Sequence, residues 1–434
     1  MTTLQNNILF NHTYLKELTS DKSVDPEIPF SPKDIRDWYS FLDATSLDAM
    51  VSTWIQPMLS LLELEIKNLE ISDEHAYGLS SAFDPGTLLG ICYVTPPGAD
   101  LDAATKGQFW MAQAVLAAKR YEVELRWVIL TNGEIWRLLD AQALRRYEAY
   151  LQIDVSQLAQ GKADPSALRV FYRCFHRKAF EKTEDQTGLE KLLADSDHAT
   201  EKAEQHLKDR VSSTDGIMAE LCLGLVRSTG KAKFTKEERD VIYRDATTLL
   251  YRMLFLLYSE PRGLLPIDNP QYAQVSMNRL VETARKYQQE GLDQPEGTEL
   301  WKRLKRLNNA IYESDPNLDI PAYNGGLFDD DDHPYLRDGT IADQYLSQAI
   351  FDLAFLTNGN GVQAIDYRDL SVRHLGSLYE GMIEYKLFVA EEPKLARRDK
   401  KGNVHFMTQD EGGGLRRNDQ EIKTGEVYFG QNAG

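Results

Sequence analysis

The segment RWVILTNG (residues 126–133), which runs directly into EIWRLLD (134–140), decides the fold class of the first part of the chain. The first string is a short apolar run that ends at Asn132-Gly133, a dipeptide favoured in two-residue hairpin turns. The second string returns with apolar residues, so the pair predicts two antiparallel strands. LLGICYVT (88–95) is another apolar run between Gly- and Pro-rich segments, as is typical of a buried strand. We therefore expect a small sheet here.

Helical patterns alternate with these strands. Apolar residues at helical spacing recur after Ser31-Pro32 and through residues 52–67, and the Ala-rich segment 104–121 predicts a further helix. RRYEAYLQIDV (145–155) could form a third strand. Strands separated by helices build layered α/β structures. We therefore predict an irregular segment over 1–30 and an α/β domain with a small mixed sheet over 31–160.

From Asp164-Pro165 onward, helical patterns follow one another, which predicts an all-α connector domain over residues 161–393. The last segment, 394–434, is rich in Gly, Asp, Lys and Arg and contains short alternating runs, which predict a polar linker with a β-hairpin. The predicted helices span residues 165–182, 187–210, 214–229, 235–260, 271–290, 297–313, 341–357 and 367–386.

Composition limits the possible functions. The 434 residues include 67 acidic and 49 basic side chains, which give a net charge of −18. Such a chain repels a polyanion overall, so contact with nucleic acid requires a local basic patch or a basic partner. The three cysteines show no metal-ligand spacing and suit a reducing cytosol. No secretory signal is evident, and the apolar run at 247–258 is too short to span a bilayer. We expect a cytoplasmic protein without a membrane partner.

One short motif suggests metal chemistry. Nucleases of the PD-(D/E)xK type place an Asp on one strand and Glu-x-Lys on the next, so that the carboxylates bind Mg²⁺ and the Lys polarises the attacking water. Glu65 and Lys67 match this spacing, but the leucines around them continue a helical stripe. On a helix, residues two apart point about 200° apart and cannot share a metal. A solvated helix face is the favoured interpretation. A displaced nuclease site that uses Asp84, Glu63 or Glu65, and Lys67 remains the alternative.

Other catalytic motifs do not occur. The histidines are scattered, and the chain contains neither a nucleophile elbow nor a P-loop. The acidic run Asp329–Asp332 lacks the Gly and distal Glu of a calcium loop, which favours an exposed turn. Asn269-Pro270-Gln271-Tyr272 differs from the Asn/Asp-Pro-Pro-Tyr/Phe tetrad that holds a flipped base in amino-group methylases. A proline turn before a helix is the simpler interpretation.

Several longer strings together resemble a known group of proteins. They are similar to the helical region of single-chain type IIG restriction–modification enzymes and of the adenine-specific DNA methylases of BREX-type phage-defence systems. WVILTNGEIWRLLD (127–140) resembles the closing hairpin of the nuclease-like domain that opens many of those chains. The strings of the helical region are LLYRMLFLLYSEPRGLLPIDNPQY (249–272), IPAYNGGLFDDDDHPYL (320–336) and IDYRDLSVRHLGSLYEGMIEYKL (365–387).

This resemblance implies a restriction-endonuclease-like domain with a degenerate active site. In cleaving relatives the strand before PPGADLD carries Glu-x-Lys, whereas Tyr93 and Thr95 stand there in this chain, and Asp84 is the candidate remnant of the acid. Tyr and Thr cannot replace a carboxylate that neutralises Mg²⁺. The resemblance further implies a methyltransferase domain after EVYF (426–429), which this chain does not contain. S-adenosylmethionine would belong to that domain, and no cofactor is expected on this chain.

Basic clusters are the candidates for phosphate contact, although solvated surface charge explains them equally well. We expect a non-catalytic scaffold that positions DNA within a bacterial adenine-methyltransferase or restriction–modification defence system, together with other defence subunits. The alternatives are a Mg²⁺-dependent endonuclease and an acidic protein-interaction adaptor. The predicted DNA-binding residues are Lys302, Arg303, Lys305, Arg306, Arg397, Arg398, Lys400, Lys401, Arg416 and Arg417.

Overall fold

The computed structural model divides the chain into two compact units, residues 1–200 and 201–434. The boundary falls inside one long helix, α9 (Gly188–Ser212). The structure describes residues 3–7, 9–20, 28–69, 73, 75–102, 104–105, 108–120, 125–143, 149–183, 185–289, 297–321, 323, 325–358, 361–382, 385–398, 404–408, 410–416 and 419–431.

The first unit is an α/β layer, as predicted. Its helices before α9 are α1 (His12–Ser20), α2 (Pro32–Tyr39), α3 (Leu47–Met50), α4 (Gln56–Leu61), α5 (Trp110–Arg120), α6 (Val155–Ala159), α7 (Pro165–Phe175) and α8 (Arg177–Phe180), with a π-helical turn at Val51–Ile55. Its strands are β1 (Leu4–Asn7), β2 (Leu64–Asn68), β3 (Ala76–Ser81), β4 (Leu88–Val94), β5 (Ala104–Thr105), β6 (Gln108–Phe109), β7 (Trp127–Thr131), β8 (Ile135–Asp140), β9 (Tyr150–Asp154), β10 (Lys182–Thr183) and β11 (Gln186–Thr187).

Seven of these strands form one mixed sheet in the order β1-β9-β8-β7-β4-β3-β2. Strands β2, β3 and β4 are an antiparallel meander, and α5 then carries the chain to β7, which pairs with β4 in parallel. The predicted hairpin is confirmed, because β7 and β8 are antiparallel neighbours around Asn132-Gly133. The remaining pairs in this sheet are also antiparallel.

Both faces of the central strands are covered, which explains why their sequences are continuously apolar. Cys92 and Val94 of β4 face a core that includes Trp54 and Phe171. Ile91 and Tyr93 face a second core that contains α5. The alanines of α5 let that helix approach the sheet closely, because they add little bulk between helix and strand. Burial of this apolar surface, worth about 25 cal/mol per Å², holds the layer together.

The interpretation of residues 52–67 as one continuous helix is wrong. Helix α4 ends at Leu61, and Glu63 adopts a left-handed backbone with φ of 59°. The chain then enters strand β2, in which Leu64 and Ile66 face the core while Glu65 lies opposite Ser80 of β3. The period-two alternation was present in the sequence. The helical spacing of the leucines in α4 continues into β2, so the sequence does not mark where the helix ends.

The first thirty residues are also more regular than predicted. Leu4–Asn7 pairs with β9 along its whole length as the edge strand β1, and α1 follows. The side chains of β1 are largely polar, because an edge strand needs few contacts with the core. The backbone N–H and C=O groups of β1 form hydrogen bonds with the neighbouring strand. The predicted boundary at 160/161 lies within the first unit, because Phe171 and Phe180, on α7 and α8, belong to its core.

The second unit is mainly helical. The predicted helices over 187–210, 214–229, 235–260, 297–313 and 341–357 are confirmed with changes of up to three residues at their ends, whereas 271–290 forms two helices that meet at Ser276. Its helices are α10 (Ile217–Ser228), α11 (Lys236–Ser259), α12 (Pro270–Val275), α13 (Met277–Gln289), α14 (Glu299–Glu313), α15 (Pro334–Arg337), α16 (Asp343–Ala354) and α17 (Val372–Met382), together with short 3-10 turns at Glu260–Arg262, Gly326–Phe328 and Tyr367–Asp369. None of the helices in the described part of the chain combines the length and apolarity needed to cross a bilayer.

Helix α11 runs through the core of this unit and carries two buried charged residues. Arg252 is 2% exposed and donates hydrogen bonds to the carbonyls of Leu327 and Asp329 and to the carboxylate of Asp330. Asp245, one and a half to two turns earlier, accepts a hydrogen bond from the backbone N–H of Tyr335. The acidic run predicted to be an exposed turn is thus partly tied to α11, because a buried guanidinium needs a carboxylate partner.

Strands complete the second unit. They are β12 (Phe355–Asn358), β13 (Gly361–Ala364), β14 (Tyr385–Val389), β15 (Lys394–Arg398), β16 (Val404–Thr408), β17 (Gln420–Ile422) and β18 (Val427–Gln431). The helix predicted over 367–386 is shorter than expected, because residues from Tyr385 form β14 and pair with β18. In the terminal segment predicted as a linker with a β-hairpin, β15 and β16 are antiparallel neighbours, while residues 427–429 of EVYF lie in β18, which pairs with β14. Leu395, Ile422 and Phe429 of this segment are buried.

We predict that Gly90→Ala destabilises the first unit. A Cβ at Gly90 of β4 would lie 2.6 Å from the carbonyl oxygen of Trp127 in β7, and this backbone atom cannot move aside without disturbing the parallel pairing. Overpacking of this kind costs about 1–3 kcal/mol, which urea unfolding can measure. Gly86→Ala is the matched control, since its Cβ would meet only the Asp84 side chain at 3.4 Å. Equal stability of the two variants would contradict the prediction.

Candidate functional site

The carboxyl ends of β4 and β7 form the first candidate site. These are the two parallel strands of the sheet, and ligands in open α/β sheets bind at such ends. Thr95 follows β4 directly, is completely buried, and donates its backbone N–H to the carbonyl of Thr131 at 2.8 Å. Its hydroxyl lies 3.3 Å from the same carbonyl. The Thr95 side chain is therefore part of the packing between the strand ends.

Tyr93 occupies the neighbouring position on β4. It is 2% exposed, and its hydroxyl donates a hydrogen bond to the carboxylate of Asp73 at 3.4 Å. The two meet because Tyr93 pairs with Ala76 across the antiparallel strands and Asp73 precedes β3. Burial, and next the negative charge of Asp73, raise the pKa of the Tyr93 hydroxyl. The phenol thus stays protonated and acts as a hydrogen-bond donor.

An aromatic cluster fills the space beside this contact. The His75 ring lies 5.8 Å from that of Tyr93 and 5.5 Å from that of Trp110, measured between centroids. The Nδ1 atom of His75 is 2.8 Å from the carbonyl oxygen of Val94. Mg²⁺ favours several oxygen ligands, usually with one or two carboxylates. Here Asp73 faces a protonated phenol and aromatic rings, so the contacts favour packing over metal coordination.

Asp84 does not belong to this group. It lies in the turn between β3 and β4, whereas Tyr93 and Thr95 stand at the far end of β4. Its carboxylate accepts hydrogen bonds from the Thr87 hydroxyl at 2.7 Å and from the Gly86 N–H at 3.2 Å, which stabilise the turn. The acid that the sheet brings to Tyr93 is Asp73. Sequence reasoning missed it because only the strand register shows which residue lies opposite Tyr93.

The loop after β4 is anchored from the neighbouring hairpin. Arg137 is 3% exposed and donates two hydrogen bonds of 2.8 Å to the carboxylate of Asp102. Asn132 donates its side-chain amide to the carbonyl of Ala99 at 2.8 Å. Paired guanidinium–carboxylate bonds are geometrically specific. The PPGADLD segment is thus held in one orientation beside the strand ends.

The residues of the alternative nuclease site lie on or beside β2, an edge strand of the sheet. Glu65 and Lys67 lie on strand β2, so their side chains share a face after all. The Lys67 ammonium donates a hydrogen bond to the carbonyl of Pro85, beside Asp84. Glu63 is committed elsewhere, because its carboxylate accepts a 2.9 Å hydrogen bond from Arg177. Among the described residues of the first unit, no three His, Cys, Asp or Glu side chains lie close enough to hold one metal ion.

The basic residues predicted on α14 divide into two kinds. Lys302, Arg303 and Arg306 are exposed on the face opposite the buried Leu304, and Lys302 pairs with Glu299 at 2.7 Å. Lys305 instead donates hydrogen bonds to the carbonyls at the end of α15. Exposed residues three and four apart on a helix form one surface. Lys302, Arg303 and Arg306 therefore present their charges together.

The basic residues near the end of the chain are less available. The Arg397 guanidinium donates to both carboxylate oxygens of Asp419 and to the carbonyls of Gly412 and Gly414. Its hydrogen bonds lower the pKa of Asp419 to about 2. Arg397 therefore stabilises the small β15–β17 sheet. Arg416 is exposed. Lys400, Lys401 and Arg417 lie outside the described residues, as does the side chain of Arg398.

Asn269-Pro270-Gln271-Tyr272 forms the start of α12. The Asn269 side chain accepts a hydrogen bond from the Gln271 N–H at 2.8 Å, as a helix-capping residue does. Tyr272 is completely buried, and its hydroxyl donates to Glu260 at 2.7 Å. A buried tyrosine cannot stack on a flipped base. The proline turn before a helix is thus confirmed.

Comparison with protein-family models, curated proteins and solved structures finds no match to this chain.

We predict that the stability of the second unit falls as the pH rises toward 7. Burial, and next the nearby Asp352, raise the pKa of Glu220 on α10 from 4.5 to about 7, although Arg210 opposes the shift. A carboxyl group whose pKa is higher in the folded state than in the unfolded state stabilises the fold fully when the pH is below its unfolded-state pKa. This stabilisation is lost as the pH rises through the folded-state pKa. Glu220→Gln should abolish this pH dependence of the free energy of unfolding, which amounts to at most about 3 kcal/mol.

Urea unfolding of the full chain between pH 4.5 and 8 measures this effect. Glu391→Gln, at an exposed position of the same unit, is the control and should leave the slope unchanged. An identical pH profile for the wild-type protein and the Glu220→Gln variant would show that Glu220 does not titrate in this range.

Proposed function

We propose that the first unit is a restriction-endonuclease-like domain without cleavage activity. The chain as a whole would act as the scaffold and DNA-positioning part of a bacterial adenine-methyltransferase or restriction–modification defence system. The observation that carries this proposal is the pairing of Asp73 with Tyr93 across β3 and β4. An active PD-(D/E)xK site needs an Asp near one strand and Glu-x-Lys on the next.

In this proposal, the domain does not cleave DNA because Tyr93 and Thr95 stand where an active site would have Glu and Lys. Tyr93 and Thr95 are two apart on one strand end, as Glu and Lys would be, and Asp73, three residues before the Ala76 that pairs with Tyr93, accepts a hydrogen bond from the Tyr93 hydroxyl. One carboxylate next to a phenol provides less negative charge than Mg²⁺ requires, and a threonine hydroxyl cannot polarise a water as a lysine does. The α/β layer thus retains the positions of such a site while its side chains stabilise the fold.

DNA positioning is assigned to the exposed row Lys302, Arg303 and Arg306 on α14. A chain of net charge −18 needs a local basic surface to approach phosphates. The other predicted positions contribute less, since Lys305 and Arg397 are bound to groups of their own unit. Methyl transfer and S-adenosylmethionine would belong to a methyltransferase domain or subunit that works with this chain in the cytoplasm. Other subunits of the defence system complete the set of proposed partners.

A Mg²⁺-dependent nuclease at the edge of the sheet is the second candidate. Glu65 and Lys67 share a face of β2, and Lys67 contacts the turn that contains Asp84. This geometry removes the helix argument against the motif. It is the weaker candidate because the Asp84 carboxylate is already engaged with Thr87 and Gly86.

We predict that the full chain leaves plasmid DNA intact in Mg²⁺ or Mn²⁺. The two ligand positions beside Asp73 carry no carboxylate, so no metal-bound hydroxide can form there. Agarose gels of supercoiled, nicked and linear plasmid provide the measurement. Cleavage that Glu65→Gln abolishes and Tyr93→Phe preserves would establish the sheet-edge nuclease instead. Cleavage that Asp73→Asn abolishes would contradict the degenerate site.

We also predict salt-dependent binding of duplex DNA through α14. Replacing Lys302, Arg303 and Arg306 with Gln should weaken binding. The substitutions should also reduce the steepness of the slope of log affinity against log salt concentration by roughly 0.9 for each lost phosphate contact. Fluorescence anisotropy with a labelled duplex measures both quantities. The control replaces Lys231, Lys233 and Lys236 with Gln, which removes the same charge from exposed positions of the same unit. Equal loss in both triple variants would reject a specific role for α14.

A further inference from the structure

A groove of about 700 Å³ opens on the surface of the second unit. Its walls come from residues 266–271, which lead into α12, and from Asn317 and Asp319, which follow α14. Neither wall belongs to the basic surface of α14 or to the nuclease-like sheet. The groove therefore has no part in the function proposed above.

Hydrogen bonds hold both walls in place. The Asn269 side chain donates to the carbonyl of Asn317 at 3.4 Å and so connects one wall to the other. The Tyr323 hydroxyl donates to the carbonyl of Leu264 at 3.0 Å. Asp315 and Ile320 form a bridge that closes the turn between them, with Asp319 in a left-handed conformation at φ of 57°. The groove is thus a preformed surface, and a ligand would not have to order it.

Large apolar side chains are exposed on the same two segments. Leu264 is 57% exposed, Ile267 is 44% exposed and Tyr323 is 43% exposed. Leu264 and Ile267 flank the lining residue Pro266 in sequence, and Tyr323 is hydrogen-bonded to the carbonyl of Leu264. Grouped apolar residues that remain exposed often mark interaction sites. Burial of these side chains against a partner would provide the main favourable free energy of binding.

The charges of the groove select the kind of partner. The ionisable residues in its lining are the carboxylates Asp268 and Asp319. The basic residue nearest in sequence, Arg262, points inward and donates to the carbonyls of Tyr367, Arg368 and Leu370. Carboxylates at the groove repel phosphates and attract ammonium and guanidinium groups.

We propose that this groove docks a segment of a partner protein in which Lys or Arg side chains flank aliphatic residues. The aliphatic side chains pack on Leu264, Ile267 and the proline rings. The cationic groups pair with Asp268 and Asp319, and the exposed Gln271 amide is available to the backbone of the segment. This docking does not depend on whether the chain cuts or contacts DNA.

A random-peptide display selection on the full immobilised chain tests the proposal. Enriched peptides should combine Lys or Arg with Leu, Ile or Pro. Synthetic versions should lose roughly three- to tenfold in affinity for the Asp268→Asn/Asp319→Asn variant, as expected when two exposed ion pairs are removed. Asparagine tolerates the left-handed backbone at 319, so this variant keeps its fold. Leu264→Ser/Ile267→Ser should weaken binding at least as much.

Matched variants on the same unit provide the controls. Asp240→Asn/Glu392→Gln removes two exposed carboxylates elsewhere, and Val372→Ser/Leu415→Ser removes two exposed apolar side chains. Both control variants should bind the peptides as the wild-type chain does. The proposal is overturned if no peptide is enriched, if the enriched peptides are acidic, or if the controls weaken binding as much as the groove variants. Binding of labelled duplex DNA to the wild-type chain that is lost in the groove variants but not in the control variants would overturn the proposal and assign the surface to nucleic acid.

Discussion

The parallel pairing of β4 with β7 is the constraint on which the first unit depends. It requires the α5 crossover, places apolar side chains on both faces of the two strands, and brings Thr95 and Thr131 together at one end. Gly90 permits this pairing because a side chain at that position would collide with the Trp127 carbonyl. The antiparallel pairing of β4 with β3 sets where Asp73 lies, and so determines what Tyr93 contacts.

The polar side chains at these strand ends contribute to the packing of the first unit. Asp73 accepts a hydrogen bond from the Tyr93 hydroxyl, and the His75 ring lies beside the Tyr93 ring. The phenol is buried and stays protonated, and it donates a hydrogen bond to this carboxylate. In the second unit the same physics applies to Arg252, whose buried charge is balanced by Asp330 and by backbone carbonyls. In both places polar groups support packing.

Many of the helices and the buried strands β4, β7 and β8 were predictable from the sequence because their apolar patterns are local, whereas the buried strand β3 was not predicted. The hairpin at Asn132-Gly133 and the long helix α11 follow directly from such patterns. Strand β2 was not recognised, because the apolar residues of α4 continue into it and the left-handed turn at Glu63 has no sequence signature. Site residues were harder to predict than elements. Asp73 contacts Tyr93, and Asp419 contacts Arg397. Strand pairing and turns bring each pair together, and the spacing of the residues along the chain does not reveal this.

We propose that the strand ends of the first unit do not bind a divalent metal ion. Crystals of the protein soaked in Mn²⁺ would test it most directly, through an anomalous difference map measured near the manganese absorption edge. The account predicts no anomalous peak beside Asp73, with the Tyr93 hydroxyl still hydrogen-bonded to that carboxylate. A peak coordinated by Asp73 and a second acidic side chain of this unit would contradict it.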